Sequence, residues 1–430
     1  MNEHGHSVEI DPDKCIGCVA CCQACPTKAI RVLGGVAVVK PELCTYCGNC
    51  VRVCRYDAAT AKTSNPADLK MFKHTVAMPA LTLYGQFGRD VMPSQVMDAL
   101  RKIGFDSTYD VSWMCEMVTA ATDAYLSECN GPWPKISVTC PAIVRLIQIR
   151  YPELIAHMVP IETARELAAK ILRRKLSSEL RLDPSEIGIF FITPCSAIMN
   201  SILRPVALDQ SYIDGAFSIA EIYGPLLDAI KTTEKVDHDV PISPSGLFWA
   251  MAGGEIAGMR NTNTMAVRGI QDVEFVFDRI ESGAFATVDF IEAYICPDGC
   301  VSGQLVIEGR YAAQRNIQQI ARKLGDQGQV KEEKVRSLLR EHFFDLEEEI
   351  KARPARALGR DLKQRVAMKK EKAGVLDQLP KKDCAACGAP DCETLAEDIV
   401  LGERMVEDCL FVRIANITGD GVTGMEGEDE

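Results

Sequence analysis

One spacing constrains this chain more than any other feature. Cys15, Cys18, Cys21 and Cys25 recur as Cys44, Cys47, Cys50 and Cys54, each displaced by 29 residues. The 430 residues hold 19 cysteines: nine within 1–60, six within 75–325 and four within 380–410. The opening residues, Met1-Asn2-Glu3-His4-Gly5-His6, have no basic stretch leading into an apolar one, so no secretory signal is expected. No apolar run reaches the roughly 18 residues of a spanning helix. A cytoplasmic location follows as the expectation, and a reducing cytosol disfavours disulfides. Sixteen thiols in spaced groups then point to metal.

Each repeat reads C-x2-C-x2-C-x3-C, the bacterial ferredoxin run, in which the fourth cysteine serves the other cluster. The short spacers let three thiolates converge on one cube while backbone N–H groups turn towards its sulfurs. Cys15, Cys18, Cys21 and Cys54 are therefore assigned to one [4Fe–4S] cube, and Cys44, Cys47, Cys50 and Cys25 to its partner. Pro26 follows Cys25 as the run requires, whereas Arg55 follows Cys54. Cys22 is supernumerary and reads as a buried thiol. A formal charge of −12 argues against nucleic acid or an anionic membrane surface as the main partner.

Residues 70–325 read as α/β. Short β-rich apolar runs at 75–81, 136–139 and 187–192 alternate with helical patterns at 94–103 and 161–175, which favours a parallel sheet covered by helices. An N-terminal ferredoxin α+β domain occupies 1–65. A Lys-, Arg- and Glu-rich stretch at 326–380, broken by Pro354, reads as an exposed helical connector. A small helical four-cysteine domain follows at 381–415, and 416–430 reads as an acidic disordered tail. No P-loop or flavin motif is present, and Gly253-Gly254-Glu255-Ile256-Ala257-Gly258 lacks the strand and spaced acid of a nucleotide fingerprint. The six histidines are scattered without ligand spacing.

Three loops carry single cysteines or a pair: Val138-Thr139-Cys140-Pro141, Thr193-Pro194-Cys195-Ser196-Ala197, and Glu292-Ala293-Tyr294-Ile295-Cys296-Pro297-Asp298-Gly299-Cys300. Two of them follow expected strands, where an open α/β sheet places its ligand sites. Their order resembles the catalytic domain of [FeFe] hydrogenases, whose loops read Thr-Ser-Cys-Cys-Pro, Met-Pro-Cys-x-x-Lys and Glu-x-Met-x-Cys-x-x-Gly-Cys. The likeness continues through Leu100-Arg101-Lys102-Ile103-Gly104-Phe105-Asp106, Tyr151-Pro152-Glu153-Leu154 and Met251-Ala252-Gly253-Gly254. It implies a two-lobed parallel-sheet core. It also implies a cubane on Cys140, Cys195, Cys296 and Cys300, with Cys300 at the position that bridges to a two-iron subcluster in the family.

Around the two-iron half of the site the chain departs from the family. Thr139 stands where the family has its proton-delivering cysteine, and Ile198 where a lysine holds a cyanide. Thr193 and Tyr294 replace two methionines, and the acidic pair of the proton path falls on Ala121 and Thr122. A threonine hydroxyl does not exchange protons usefully near neutral pH. Isoleucine leaves an anionic cyanide without a charge-assisted hydrogen bond. Together these changes argue against a functional two-iron subcluster. Thr139, Ile198, Tyr294 and Cys115 are the pocket candidates, Cys115 as a substitute thiol, while Cys129 reads as packing.

The run Cys384-Ala385-Ala386-Cys387-Gly388, with Cys392 and Cys409 beyond it, gives C-x2-C-x4-C-x16-C. It resembles a small iron–sulfur domain of corrinoid proteins, membrane redox complexes and sensory-type [FeFe] hydrogenases, and implies a fourth [4Fe–4S] cluster. A four-cysteine zinc knuckle is the alternative.

The expected function is electron transfer or redox sensing with four [4Fe–4S] clusters, in a protein of an anaerobic organism. Such a chain, lacking flavin and nucleotide motifs, needs a redox partner protein, within a larger oxidoreductase or a signalling system. Its acidic surface favours a partner that is basic at the docking patch. Two alternatives stay open: a divergent hydrogenase that turns over slowly, and a redox enzyme with a modified cluster acting on a small substrate. Open space beside Cys300 lined by Thr139, Tyr294 and Ile198 would favour the last.

Overall fold

The computed structural model describes residues 6–233, 241–325, 330–353 and 361–418. The predicted tail beyond residue 418 and parts of the predicted connector lie outside the described residues. The chain divides into two compact units. The smaller comprises Val8–Cys44, Gly48–Thr60 and the described part of Arg353–Glu430; the larger is built on Ala61–Ala352, with Thr45–Cys47.

In the smaller unit, β1 (Val8–Ile10) pairs with β4 (Ala59–Ala61), and β2 (Ile30–Leu33) forms an antiparallel hairpin with β3 (Val36–Val39). The sequence repeat is also a backbone repeat. Val19 and Gly48, 29 positions apart, both adopt left-handed φ and lead into the short helices Ala20–Gln23 and Asn49–Val53. Val8, Ile30, Ala37 and Ala59 form the apolar centre of this half. The C-terminal half holds the helices Leu362–Leu376, Cys392–Val400 and Leu410–Thr418 around Leu379, Ala389, Leu395 and Val412.

The two halves are clamped together. Val32 N donates to Gly388 O over 2.8 Å. The Arg31 guanidinium grips Asp398 through Nε (2.5 Å) and Nη2 (3.1 Å), with both side chains at most 2% exposed. Lys28 pairs with Asp391, and Lys40 reaches Asp398 and Glu403. Gly388 has φ +84°, and a Cβ there would sit 2.0 Å from Val32 O, so this close approach needs glycine.

The larger unit holds two parallel sheets. One has the order β6-β5-β8-β9, with β5 His74–Pro79, β6 Ser107–Thr108, β8 Ile187–Thr193 and β9 Gly215–Ser218. The other has the order β10-β11-β7, with β7 Lys135–Ile136, β10 Thr264–Arg268 and β11 Phe290–Tyr294. All seven residues of β8 are buried, as helix-covered parallel strands require. Its Phe190 packs against Phe72, Phe105 and Phe217.

The expected elements are present with shifted ends. The strand predicted at 136–139 stops at Ile136, because the chain leaves the sheet to start the helix Pro141–Arg150. The helix predicted at 161–175 runs instead over Ala164–Leu180. Ile161 and Glu162 are spent on bridging Asp345 and Phe344. Within the stretch read as a connector, the helix Glu332–Arg340 buries Val335, and Phe344 is also buried, both in the core of the larger unit.

Candidate functional site

In the larger unit the cysteine loops leave the C-terminal ends of parallel strands, where both sheets open towards helix N-termini. Cys140 directly precedes the helix Pro141–Arg150, and Cys195 directly precedes Ser196–Leu203. Pro141 fills the first helical position, where no N–H is needed. The Cys140 sulfur receives backbone N–H groups from Ala142, Ile143 and Ile295, and the Cys195 sulfur those of Ala197 and Ile198. Thr193 fixes its loop by donating from Oγ1 to Cys195 O and accepting from Cys195 N. Gly299, at φ +77°, lets the last loop turn, since a Cβ there would lie 2.4 Å from Ala252 N.

The four thiols of these loops are neighbours. Burial pushes Cys195 up to about 12, with the adjacent Cys296 and Cys140 adding to the rise. Burial lifts Cys300 well above the ordinary thiol range, with Cys195, Cys140 and Cys296 contributing. Four mutually repelling buried thiolates need a cationic core, and amide N–H groups on their sulfurs are what a cluster ligand requires. Among the described residues no three His, Cys, Asp or Glu side chains close on the spacing of a single metal ion. A cube of irons and sulfides holds its ligands farther apart than one ion does, and the donor set fits such a cube.

Beside Cys300 lies a cavity of about 80 Å³, whose wall includes Thr139, Ile198, Cys115, Arg165 and Thr82. Three of the four pocket candidates therefore line it. Tyr294 does not. Its ring is fully buried, and its hydroxyl donates to Trp249 O over 3.4 Å. Burial, together with Asp110 and Glu255, pushes the Cys115 thiol well up, so it stays protonated. Ala121 and Thr122 are buried in the helix Ser112–Glu128. Cys129 packs against the Tyr125 hydroxyl.

Behind Thr139 stands Glu255, an acid that no sequence motif singles out, and near it lies Glu292, the first residue of the third loop. Glu255 accepts from Ser137 Oγ (2.7 Å) and Thr139 Oγ1 (3.4 Å). Glu292 accepts the N–H groups of Gly253 and Ile256. Burial pushes both carboxyls up, Glu255 to about 7 and Glu292 to about 8, with Glu255 adding to the rise at Glu292. No spacing rule reveals Glu255, whose partners lie more than 100 residues away. Arg165 and Thr82, which line the cavity, belong to no motif either.

In the smaller unit Cys15, Cys18, Cys21 and Cys54 line one small cavity, with the fourth cysteine drawn from the second run. The Cys15 sulfur receives Ala37 N–H. Burial and then Cys15 and Cys18 push Cys21 up to about 11. Of the second predicted set, Cys25, Cys44 and Cys50 fall in this unit and Cys47 in the larger one; the Cys25 sulfur receives Ala29 N–H over 3.1 Å. Cys22 is fully buried and donates to Ile30 O (3.1 Å). Burial pushes it up to about 12, and Cys21, Cys25 and Cys387 are close enough to add to that rise. The C-terminal thiols also gather: Cys387 feels Cys409 and Cys384, and Cys392 feels Cys409.

Family profiles match all three cysteine-bearing regions of the chain. The profile described as "Iron only hydrogenase large subunit, C-terminal domain" matches residues 73–245 and 249–304, more than half of the chain. A "4Fe-4S dicluster domain" matches 7–55 and a "Putative Fe-S cluster" domain 379–411. The chain belongs to the iron-only, or [FeFe], hydrogenase family and is an iron–sulfur redox protein within it. The periplasmic [Fe] hydrogenase large subunit of Nitratidesulfovibrio vulgaris is 28% identical over 219 residues, covering 46% of this chain and 52% of that protein. Iron hydrogenase 1 of Clostridium pasteurianum is 25% identical over 202 residues, covering 44% and 35%. This chain thus spans about half and about a third of those two relatives. A ferredoxin of Methanothermococcus thermolithotrophicus is 48% identical over 59 residues, 13% of this chain and 98% of the ferredoxin. A solved [FeFe]-hydrogenase of Chlamydomonas reinhardtii superposes with TM-score 0.52 at 14% identity, covering 68% of this chain and 98% of that one, which shows the shared fold. No helix among the described residues is long and apolar enough to cross a membrane.

Proposed function

We propose that this protein is an electron relay or redox sensor that carries four [4Fe–4S] clusters and no functional two-iron subcluster. The clusters supply one-electron exchange. The protein holds them on Cys15, Cys18, Cys21 and Cys54; on Cys25, Cys44, Cys47 and Cys50; on Cys140, Cys195, Cys296 and Cys300; and on Cys384, Cys387, Cys392 and Cys409. The observation that carries this reading is the wall of the cavity beside Cys300. Ile198 puts a hydrocarbon where the family places an ammonium, and Thr139 puts a hydroxyl where it places a thiol. Ile198 offers an anionic diatomic ligand no hydrogen bond, and the Thr139 hydroxyl does not exchange a proton usefully near neutral pH. The relay role draws support from the smaller unit, where Cys22 lies beside Cys21, Cys25 and Cys387. Ligands of three predicted cluster sites thereby come close within one unit. A redox partner protein delivers or receives the electrons, in the anaerobic cytoplasm.

Iron and acid-labile sulfide analysis of anaerobic protein tests this. About 16 irons per chain are expected from four cubes, and about 18 would mean a two-iron addition. Infrared spectra after co-expression with the hydrogenase assembly factors should lack iron-bound CO and cyanide bands; their appearance would refute the reading.

One observation favours the divergent-hydrogenase alternative. The Thr139 hydroxyl faces Glu255, whose carboxyl is poised near neutrality, so a proton route could leave the cavity by that path. Proton reduction with a strong reductant, lost in Glu255→Gln, would establish it.

A further inference from the structure

We infer that the C-terminal cysteine set is wired directly to the first ferredoxin set, through the contact of Cys22 with Gly388, so that the smaller unit is an electron path with two solvent-facing ends. This deepens the relay reading and rests on its cluster assignments. Among the 19 cysteines only Cys18 and Cys384 are exposed. Cys18 belongs to the first ferredoxin set and Cys384 to the C-terminal set, so each of these sets turns one ligand to solvent. Cys140, Cys195, Cys296 and Cys300 turn none.

The backbone around the C-terminal thiols suits a cluster. Lys381, Asp383 and Ala385 all take left-handed φ, at +53°, +48° and +55°. Non-glycine residues adopt that region at a cost, and alternating it turns successive N–H groups to one side, as iron–sulfur sites require. The Cys392 sulfur receives the N–H groups of Lys382 and Asp383, and the Cys387 sulfur that of Ala389.

The contact with the ferredoxin half is short and dry. Cys22 directly follows the ligand Cys21, and Gly388 directly follows the ligand Cys387. Gly388 O accepts Val32 N over 2.8 Å and the Cys22 thiol over 3.6 Å. A path from Cys21 to Cys387 therefore crosses one peptide link, one thiol hydrogen bond and one further peptide link. The Cys22 sulfur is close enough to Cys387 to feel its charge. Cys22 and Ala389 have no exposed surface, which keeps solvent out of the contact.

The ion pairs of the clamp flank this contact. Arg31, which grips Asp398, lies between Ile30 and Val32, whose backbones meet Cys22 and Gly388. Lys28 pairs with Asp391, the residue before the ligand Cys392. The clamp thus fixes the separation of the two cysteine sets. Electron tunnelling falls off exponentially with distance and passes bonds more readily than gaps, so a fixed, bonded contact is where exchange is fastest. In a dry contact an added charge is also felt strongly. One electron on the C-terminal set therefore makes the first ferredoxin set harder to reduce, and by linkage the converse holds.

The test uses the full chain, reconstituted anaerobically with iron and sulfide and titrated with dithionite under EPR. The ferredoxin signals should broaden and split further as the C-terminal set is reduced. That reduction should make the first ferredoxin set about tenfold harder to reduce, or about 59 mV for a one-electron couple. Cys384→Ala should lose about four irons, the extra splitting and the shift, while the ferredoxin pair keeps the splitting its two clusters give each other. Gly388→Ala should keep its iron and lose most of the extra splitting, because a Cβ there pushes the backbone off Val32. Signals that add independently at about 16 irons would overturn the wire and leave the four-cluster reading intact. So would ferredoxin signals and potentials unchanged in Cys384→Ala, or undiminished splitting in Gly388→Ala. About 12 irons with zinc in the C-terminal site would instead overturn the four-cluster reading, and the wire with it. If Gly388→Ala fails to fold, the titration of the unaltered chain decides.

Discussion

The two units hold iron–sulfur thiols in opposite ways. In the smaller unit the ligands come from short runs, and the packing between its halves is polar: Arg31 on Asp398, Lys28 on Asp391, Lys40 on Glu403. In the larger unit four thiols come from three loops more than 50 residues apart in places, and a continuous apolar core positions them. The difference shows where each site can change. A run of closely spaced cysteines fixes its own geometry, so substitutions around it touch only its stability. A site assembled from distant loops can keep its cysteines while the neighbouring wall is rewritten, as at Thr139 and Ile198.

The largest effect should come from the polar clamp. Asp398→Ala strands the Arg31 guanidinium in a place where it is 2% exposed. Removing one partner of a buried pair costs about 3–5 kcal/mol. Denaturant unfolding should show that loss for the smaller unit. Lys231→Ala, which breaks an ion pair whose partners are 64% and 79% exposed, should cost no more than about 0.5 kcal/mol. Equal costs for the two variants would mean that the clamp does not hold the halves together.

The legibility of the two units follows the same division. The ferredoxin repeat is readable because its ligands are local, and even the crossing of Cys54 to the first set follows from the spacing. The loops around Cys140, Cys195 and Cys296 are readable only through family resemblance, since an isolated cysteine after a strand has no signature of its own. The joining of 8–60 to 379–411 in one unit is not visible in the sequence. Arg31 and Asp398 are 367 positions apart, and either reads as an ordinary surface charge. Glu255 hides in a glycine-rich stretch with no nucleotide pattern. Its meaning depends on Ser137 and Thr139, which only the fold brings to it.

A smaller effect should come from that acid behind the cavity. The carboxyls of Glu255 and Glu292 are raised above their unfolded values by burial, so the native state binds more protons than the unfolded one between the two ranges. Their contribution is present in full below about pH 4.5 and is lost as pH rises through about 7 to 8. Stability of the larger unit should therefore fall as pH rises across that window. In Glu255→Gln the fall should be shallower, because the neutral amide removes both a titrating group and the charge that lifts Glu292. An unchanged pH profile would show that the pair is already ionised in the folded protein.

The smallest effect separates ligand from packing in the smaller unit, where five thiols crowd the first cysteine run and only four are needed. Cys22 is fully buried, donates to Ile30 O and lies off the small cavity that Cys15, Cys18, Cys21 and Cys54 line. A thiol turned to a carbonyl and away from that cavity does not ligate a cluster there, because the ligand is a thiolate aimed at iron. Cys22→Ala should therefore leave the iron count of the reconstituted chain unchanged. It should cost about 1 kcal/mol in stability from the lost hydrogen bond and the small cavity, and Cys22→Ser should recover part of that loss by keeping a donor to Ile30 O. Cys21→Ala, one position away on the same four-residue helix, should lose a cluster's worth of iron, about four atoms. If Cys22→Ala lost the iron and Cys21→Ala kept it, the register of the first run would be shifted by one residue, and with it the backbone repeat that equates Val19 with Gly48.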